Sequence, residues 1–407
     1  MTNSFLPLPE VRPLNRLNVY DSLIINADRW LRTQTYHRDR QNLHYQSLNH
    51  PGIVCGLGVR VSEPPSEAPA RFRDRRWLEV QPGIAIDLNG NPIIVTGEVN
   101  RKIRIASDAP QRGAITVYLV VSYVEPDHLG HPQDAEELRE WFRFEEKTTP
   151  PDELELELCR IQLEPGEVHL TLPQDPLQPR TSQTDLRYRV LIQSRPQAVV
   201  RVAQIAGKNQ NTIQPRYQNF FALSRASAAL YPSLQSVVEP NPVRQMAGIT
   251  LPYDLLYLNG QQVNQLQEPD WLGLRIFLKT GGVILVEAAL EGETLESLKQ
   301  SFTQQFQVHF VAWEDSDKES DDPAIELLQL VQTQPFLFAL PPTLQQQPIQ
   351  VWLGGGVVLV VGELSSAWGG RTQLAALPRH EICAAQEFGI NLLYFAWRRR
   401  YLSQLSG

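Results

Sequence analysis

The order of two patterns within residues 14–95 constrains the fold most, because a polar, arginine-rich helix pattern runs directly into a glycine-studded β pattern. Residues 27–49 contain neither glycine nor proline, follow the N-cap type Asn26 and end before Pro51-Gly52. They predict a helix of about 23 residues, roughly 34 Å long at 1.5 Å per residue. The helix has few large apolar residues, so we expect it to be stable mainly when packed on a partner.

A β pattern follows this helix. In residues 52–59 the apolar side chains are interrupted by Gly56 and Gly58, and the apolar residues 84–86 lead through Asp87 to Asn89-Gly90. Asn-Gly beside an apolar run is the strongest short hairpin signal, because both residues tolerate a positive φ. The sequence therefore predicts strands in this region and a hairpin that turns at Asn89-Gly90.

Four short motifs occur in a fixed order along the same block. They are Tyr20-Asp21-Ser22-Leu23, Ala27-Asp28, Gly52-Ile53-Val54-Cys55-Gly56-Leu57-Gly58-Val59 and Pro82-Gly83-Ile84-Ala85-Ile86-Asp87. This order resembles a group of small proteins encoded with phage-tail-like contractile injection systems, although Ser22 stands where that group has glycine. The resemblance implies a baseplate-associated particle component.

Length and charge restrict the classes of protein that remain. The chain has 407 residues, enough for two to three domains, and its 37 basic and 45 acidic residues give a net charge of −8. That balance argues against a general nucleic-acid binder, whose phosphate contacts need clustered lysine and arginine. No apolar run has the length of a membrane helix, and no basic-then-apolar signal begins the chain. We therefore expect a cytoplasmic, particle-associated protein without a transmembrane segment, which the assembly can still attach to an internal membrane.

Three cysteines, Cys55, Cys159 and Cys383, lie far apart in apolar surroundings. An odd number of distant cysteines in a cytosolic chain indicates reduced thiols in the core rather than disulfides or a metal site. We expect no cofactor and no metal.

A second group of strands is predicted after residue 110. Residues 115–124 form a β-branched run of strand length, and residues 154–158 alternate as a half-buried strand does, with Ile161 and Leu163 extending the alternation. Between these strands, residues 126–151 are polar and rich in turn formers. His128 and His131 lie there without a metal-ligand pattern, so we interpret the whole stretch as a solvated loop.

The best domain boundary is the polar stretch of residues 172–184, which contains three prolines. It predicts an N-terminal segment with a long helix (1–50), an all-β module (51–172), a proline-rich linker (173–184) and an α/β domain (185–407). The predicted fold class is therefore α+β multidomain, with a parallel sheet in the last part.

Strand and helix patterns alternate after this boundary, as they do in a parallel sheet. Strands are predicted at residues 187–192, 199–205, 253–258, 283–286, 349–353 and 357–361, and helices at 219–230, 270–279, 295–306 and 388–402. Gly281-Gly282 is typical of a helix C-terminus. The three glycines 354–356 lie between two strands, which favours a hairpin over a phosphate loop.

Five motifs in this half resemble an uncharacterised bacterial family with a glutamine-amidotransferase-like, flavodoxin-type sheet. They lie at residues 252–260, 274–282 and 283–287, at Glu363-Leu364-Ser365 and at Gly389-Ile390-Asn391. The resemblance covers about 200 residues and implies the fold more than an activity.

Catalysis is not expected on this sheet. An amidotransferase needs a cysteine nucleophile on a sharp turn after a strand, and residues 287–290 contain none. Cys383 lies near His380 and Glu381, but residues so close in sequence rarely face one another productively. A core thiol beside a charged turn is the simpler interpretation.

Two carboxylates mark a possible ligand edge instead. Glu287 and Glu363, with Ser365, follow buried strands, and ligands of parallel sheets usually bind at that edge. The alternative is a pair of solvated acids at strand ends. Of two charged runs, residues 314–322 are interpreted as an acidic surface loop, and Arg398-Arg399-Arg400 as the exposed charges of a docked helix.

These patterns together predict a structural, non-enzymatic subunit of a phage-tail-like contractile injection particle, at or near the baseplate. Its partners are expected to be other subunits, with several copies per particle and without nucleic acid. We expect the interface on the N-terminal helix, at Arg29, Trp30, Arg32, Arg38 and Arg40. The alternative is a ligand-binding or degenerate hydrolase domain of amidotransferase-like fold.

Overall fold

The chain folds as a mixed α/β protein with several sheets. The computed structural model describes residues 9–10, 12–98, 101–125, 139–206, 213–244, 251–288, 295–315, 322–372 and 375–406. His128, His131 and positions 316–321 of the acidic run lie outside these ranges. The chain divides into two compact units, Met1–Arg195 and Pro196–Gly407.

The first unit combines one long helix with small antiparallel sheets. Helix α1 spans Ala27–Leu48, and a 3-10 helix spans Ala70–Phe72. The strands are β1 (Asn49–His50), β2 (Gly52–Gly56), β3 (Val59–Val61), β4 (Trp77–Val80), β5 (Gly83–Ile86), β6 (Pro92–Val95), β7 (Lys102–Arg104), β8 (Ile115–Val124), β9 (Trp141–Lys147), β10 (Leu156–Leu163) and β11 (Gln193–Ser194). Three sheets have the orders β2-β5-β6, β3-β4-β7 and β10-β8-β9, and β1 pairs with β11.

One apolar cluster joins the inner faces of these three sheets. It contains Ile53, Leu78, Ile93, Leu119 and Ile161, all of them at most 1% exposed. The predicted helix, the strand at 115–124 and the hairpin at Asn89-Gly90 are confirmed. In that hairpin β5 and β6 pair antiparallel, and Gly90 has a φ of +82°.

Two predictions for this region were wrong. Residues 126–151 are not loop throughout, because β9 pairs with β8 over its whole length. Phe142 and Phe144 face the core while charged side chains alternate with them on the open face, and this density of charge hid the strand. Residues 187–192 form no strand; within them Leu191 makes an isolated bridge to Ile53.

The cysteine prediction holds in part. All three thiols are free, and Cys159 is buried, so that burial raises the pKa of its thiol. Cys55, however, is exposed and Cys383 is half-buried. The register of β2 shifts between Ile53 and Cys55, and this irregularity accompanies a change of side-chain direction that leaves Cys55 outside the core.

The second unit is built around one sheet of seven strands. Its helices are α2 (Ile213–Leu230), α3 (Gly260–Val263), α4 (Glu268–Lys279), α5 (Leu295–Phe306), α6 (Pro323–Thr333), α7 (Leu364–Trp368) and α8 (Arg379–Ser406), with a 3-10 helix at Trp313–Asp315. Its strands are β12 (Ala198–Gln204), β13 (Leu234–Val238), β14 (Leu255–Asn259), β15 (Val283–Ala288), β16 (Val311–Ala312), β17 (Thr343–Leu344), β18 (Gln347–Pro348), β19 (Gln350–Gly354) and β20 (Val357–Val361).

The sheet is mixed rather than wholly parallel. Its order is β13-β12-β14-β15-β20-β19-β16, and the first five strands are parallel. β19 is antiparallel to β20 and is joined to it by a two-residue turn, in which Gly355 and Gly356 have φ values of +55° and +91°. Such a turn needs two positive φ angles, so the three glycines form a hairpin as predicted, and that hairpin is also what makes the sheet mixed.

Helices cover both faces of this sheet. On one face the side chains of α2, α6, α7 and α8 pack on alternate strand residues, and on the other face those of α3, α4 and α5 do the same. All five residues of β20 are buried. A strand that is covered on both faces consists of consecutive apolar residues, and this pattern is why β15 and β20 could be predicted from the sequence.

The predicted linker of residues 173–184 contains one strongly exposed leucine, Leu177, which is 72% exposed. Thr171 and Ser182, on either side of it, are hydrogen-bonded within the first unit. We predict that limited chymotrypsin digestion first divides the chain at Leu177, because exposed polar segments are cut most readily. Mass spectrometry should find fragments 1–177 and 178–407, and Leu177→Ser should delay their release. A single resistant core spanning both halves would refute the boundary.

Asn391 ties α8 to the end of α6. Its side chain is fully buried, its Nδ2 donates to the carbonyl oxygens of Val331 and Phe336 at 2.7 Å each, and its Oδ1 accepts from the N–H of Phe336 at 2.9 Å. Three hydrogen bonds of one buried amide thus serve the backbone of a neighbouring element.

We predict that Asn391→Leu lowers the free energy of unfolding of the second unit by roughly 3 kcal/mol, since each buried polar group left without a partner costs about 1–3 kcal/mol. Urea denaturation should show the loss in the transition of that unit. Gln404→Leu on the exposed side of the same helix is the control and should change it by less than about 0.5 kcal/mol. Equal effects of both substitutions would contradict the role of Asn391.

Candidate functional site

The predicted interface lies on α1, whose side chains divide into two groups. The half-buried side chains lie along one stripe of the helix, at Arg29, Thr33, Tyr36, Asp39, Asn42, Leu43, Tyr45 and Gln46. None of the 22 residues of α1, all of them described, is buried. The N-cap Asn26 accepts from the N–H of Arg29 at 3.0 Å. The helix therefore lies on the unit without entering its core.

Polar contacts hold the second half of α1. Asn42 Nδ2 donates to Asn91 Oδ1 at 2.8 Å, and the amide of Gln46 donates to the carbonyl of Asn89. Both partners belong to the β5–β6 turn, where Asp87 accepts from the N–H and the side chain of Asn91 at 2.8 and 2.9 Å. Burial raises the pKa of Asp87. A closed network thus connects the turn to the helix.

The predicted site residues on α1 differ in their surroundings. Arg29 is half-buried and donates to the carbonyl of Ile24, while Arg32 and Arg40 are exposed. Arg38 forms an ion pair with Glu125 at 2.6 Å. The interface assignment remains a prediction for all of them, and the guanidinium of Arg38 already has a partner within the unit.

Large apolar side chains lie open to solvent at the start of α1 and before it. Trp30 and Leu31 are 56% and 60% exposed. We call the following set the N-terminal apolar surface: Val19, Tyr20, Ile24, Ile25, Trp30 and Leu31, all of which are exposed. Ser22 has a φ of +69° in the turn from Tyr20 to Leu23, which lies within this surface, and this is the conformation that glycine favours.

The predicted ligand edge brings Glu287 and Ser365 together. The carboxylate of Glu287, at the end of β15, accepts from Tyr257 Oη at 2.5 Å, from the N–H of Ser365 at 2.8 Å and from Ser365 Oγ at 2.5 Å. Tyr257 and Ser365 are buried. Both oxygens of Glu287 therefore bind donors of the same chain, which fixes the start of α7 against β14 and β15.

Glu363 has a different position from the other two residues of this edge. It is the N-cap residue of α7, half-buried, and in this described segment its side chain makes no capping hydrogen bond. The structure thus places all three predicted residues at one edge and joins two of them directly.

Gln204 was missed by sequence reasoning. It ends β12 beside Tyr257 of β14, where the order of the parallel strands reverses and where ligands of such sheets usually bind. Its side chain is 6% exposed, and its Nε2 has no hydrogen-bond partner among the described residues. An amide at the end of a strand whose only other polar side chain is Arg201 was the available signal.

The cysteine, histidine and glutamate near residue 380 lie in the first turns of α8. Glu381 accepts from the N–H of Gln345 at 2.9 Å, His380 is exposed and Cys383 is half-buried. In the described ranges no three histidine, cysteine or acidic side chains are grouped as metal ligands. Across the same ranges no helix has the length and apolar character to cross a membrane.

Comparison with known proteins gives little similarity. No family model matches the chain, and no curated protein matches it. A crystal structure of TssK is similar with a TM-score of 0.25 and 9% sequence identity, over 94% of this chain and 69% of that chain. A likeness of this size carries no conclusion about the fold or the function of the chain.

We predict an energetic coupling between Glu287 and Ser365. In a double-mutant cycle, Glu287→Ala and Ser365→Ala should couple by about 1–3 kcal/mol, since residues of one hydrogen-bond network do not act additively. Urea denaturation of the four proteins measures it. Replacing Ser365→Ala by Ser301→Ala, a half-buried residue of α5 whose hydroxyl donates to the carbonyl of Ser297, gives the control cycle, which should be additive. Additivity in both cycles would contradict a structural role for the network.

Proposed function

We propose that this chain is a structural, non-enzymatic subunit of a phage-tail-like contractile injection particle, at or extending its baseplate, and that it docks through the N-terminal apolar surface and the adjoining face of α1. The order of motifs in residues 14–95 resembles that of a group of proteins encoded with such particles. This resemblance supports the proposed kind of assembly. The observation that carries the docking function is the exposure of large apolar side chains around Trp30.

Exposed apolar side chains in this number favour an interface. Single exposed apolar residues are common on soluble proteins, whereas contiguous ones with a polar rim usually mark a contact surface. Here Trp30 and Leu31 are consecutive exposed residues of α1, and Arg29 and Arg32 flank them in the sequence. Tryptophan and arginine are also the residues that dominate the energy of protein interfaces. A protein partner therefore fits this surface better than a small ligand does.

The second unit would add a further protein surface to the particle. Its five parallel strands follow the order 2-1-3-4-5 of flavodoxin-type sheets, which supports the amidotransferase-like likeness as a proposal about fold. The internal hydrogen bonds of Glu287 favour a structural role for the predicted ligand edge. The alternative, a ligand-binding or degenerate hydrolase domain, is favoured by the unpartnered amide of Gln204 among the described residues.

We predict that Trp30→Ser with Leu31→Ser releases the protein from its particles. Each apolar anchor at the centre of an interface contributes roughly 2 kcal/mol or more, so two losses should dissociate a modest interface. The tagged full chain would be expressed in its own cells, and cosedimentation with sheath and baseplate would be measured. Circular dichroism should show that the variant remains folded, because neither side chain is buried.

Two controls separate docking from other causes. Leu337→Ser with Leu340→Ser removes two leucines of the second unit that are still more exposed, 80% and 76%, and should leave cosedimentation unchanged. Cys383→Ala should leave particle assembly and firing unchanged, as a non-enzymatic subunit requires. Retention of the Trp30/Leu31 variant in particles would refute this docking surface, and loss of firing by the folded Cys383→Ala variant would favour the enzymatic alternative.

A further inference from the structure

A cavity of about 480 Å³ in the second unit carries three cationic side chains. Arg275 and Lys279 stand one turn apart on α4, and Arg399 reaches the cavity from α8. We call it the basic cavity. It lies at the start of β15 and β20, because Arg399 donates to the carbonyls of Gly282 and Gly355, just before those strands. The predicted ligand edge at Glu287 is at the other end of β15.

The positive charge in the basic cavity has no counter-charge in the described part of the chain. Its lining contains no carboxylate, and no described acidic group lies within ion-pair distance of Arg275, Lys279 or Arg399. The contacts of Arg399 are carbonyl oxygens, and burial, with the neighbouring Arg400, lowers the pKa of its guanidinium. A half-buried guanidinium is costly unless an anion joins it, and Arg275 and Lys279 line the same cavity.

Further donors and an apolar wall complete the lining. Arg275 is oriented by Gln305, whose carbonyl and side-chain oxygens accept from its Nη2 at 3.0 and 3.3 Å. The amide side chains of Gln304 and Gln307 also line the cavity, and Leu278, Phe306 and Val308 form its apolar part. Gln307 has a φ of +57°, a conformation that non-glycine residues seldom adopt outside constrained sites.

We propose that the basic cavity binds a small phosphorylated molecule, whose phosphate group lies against Arg275, Lys279 and Arg399. A phosphate monoester carries about −1.5 to −2 charges and three strong acceptor oxygens at neutral pH, which match three cations better than one carboxylate does. The planar guanidinium fork suits phosphate, and the volume falls in the range of small-molecule sites. The apolar wall would receive the organic part of the ligand.

Binding of phosphates by the full chain tests this proposal. Isothermal titration would be run with inorganic phosphate, with phenyl phosphate and with a glutamate hexapeptide, at one ionic strength. We expect saturable binding of the phosphates, weakened roughly ten-fold or more by Arg275→Gln with Lys279→Gln, because each hydrogen bond to a charged group contributes about that factor. Arg399 is left in place because it also holds Gly282.

Arg225→Gln with Arg371→Gln is the matched control, since both arginines are exposed and lie outside the basic cavity. It removes the same charge and should leave phosphate binding unchanged. Tighter binding of phenyl phosphate than of inorganic phosphate would assign the apolar wall to an organic group, and the reverse order would assign the site to a free inorganic oxyanion. Absence of phosphate binding, equal weakening in both double variants or tighter binding of the hexapeptide would overturn the proposal, the last in favour of an acidic protein segment.

Discussion

Burial of both faces of one sheet is the constraint on which the second unit depends. The parallel strands are apolar on each side, so helices must cover both faces. α8 supplies much of one cover through Phe388, Ile390 and Phe395, which are at most 2% exposed. The same helix ends beyond the sheet, where Arg399 and Arg400 bind backbone carbonyls that precede the strands. The helix that closes the core therefore also positions the basic cavity.

Some polar groups enclosed by this packing have hydrogen-bond partners within the chain, and others lack a hydrogen-bond partner or a counter-charge among the described residues. Asn391 and Glu287 bind donors or acceptors of neighbouring elements, so their burial stabilises a unique arrangement. Gln204 has a buried donor without a partner in the described ranges, and Arg399 has a charge without an anion there. Gln204 and Arg399 therefore indicate ligand sites better than Asn391 and Glu287 do, because a bound molecule can supply the missing partner and remove the cost of burying a polar group without one.

The sequence predicted elements well where one physical signal dominated. Continuous burial revealed β15 and β20, and the absence of glycine and proline revealed α1. It failed where signals competed: β9 carries charges on its open face, and β13 was missed altogether. Strand-end reasoning predicted that Glu287 and Ser365 share one edge, but it could not predict their direct hydrogen bonds. The basic cavity escaped because Arg275 and Arg399 are 124 positions apart, and because the arginines of α8 were interpreted as exposed.

In the first unit, the attachment of α1 differs from that of every helix that covers the sheet of the second. Asn42, Gln46 and Arg38 hold its second half through polar contacts, each of which contributes only about 0.5–1.5 kcal/mol. No side chain of its described residues is buried to fix the first half. The β5–β6 turn therefore determines where the helix lies. Trp30 and Leu31 remain exposed, so burying their apolar surface against another molecule would be favourable. A helix that polar contacts hold at one end, and that exposes Trp30 and Leu31 at the other, supports the docking surface proposed for this chain.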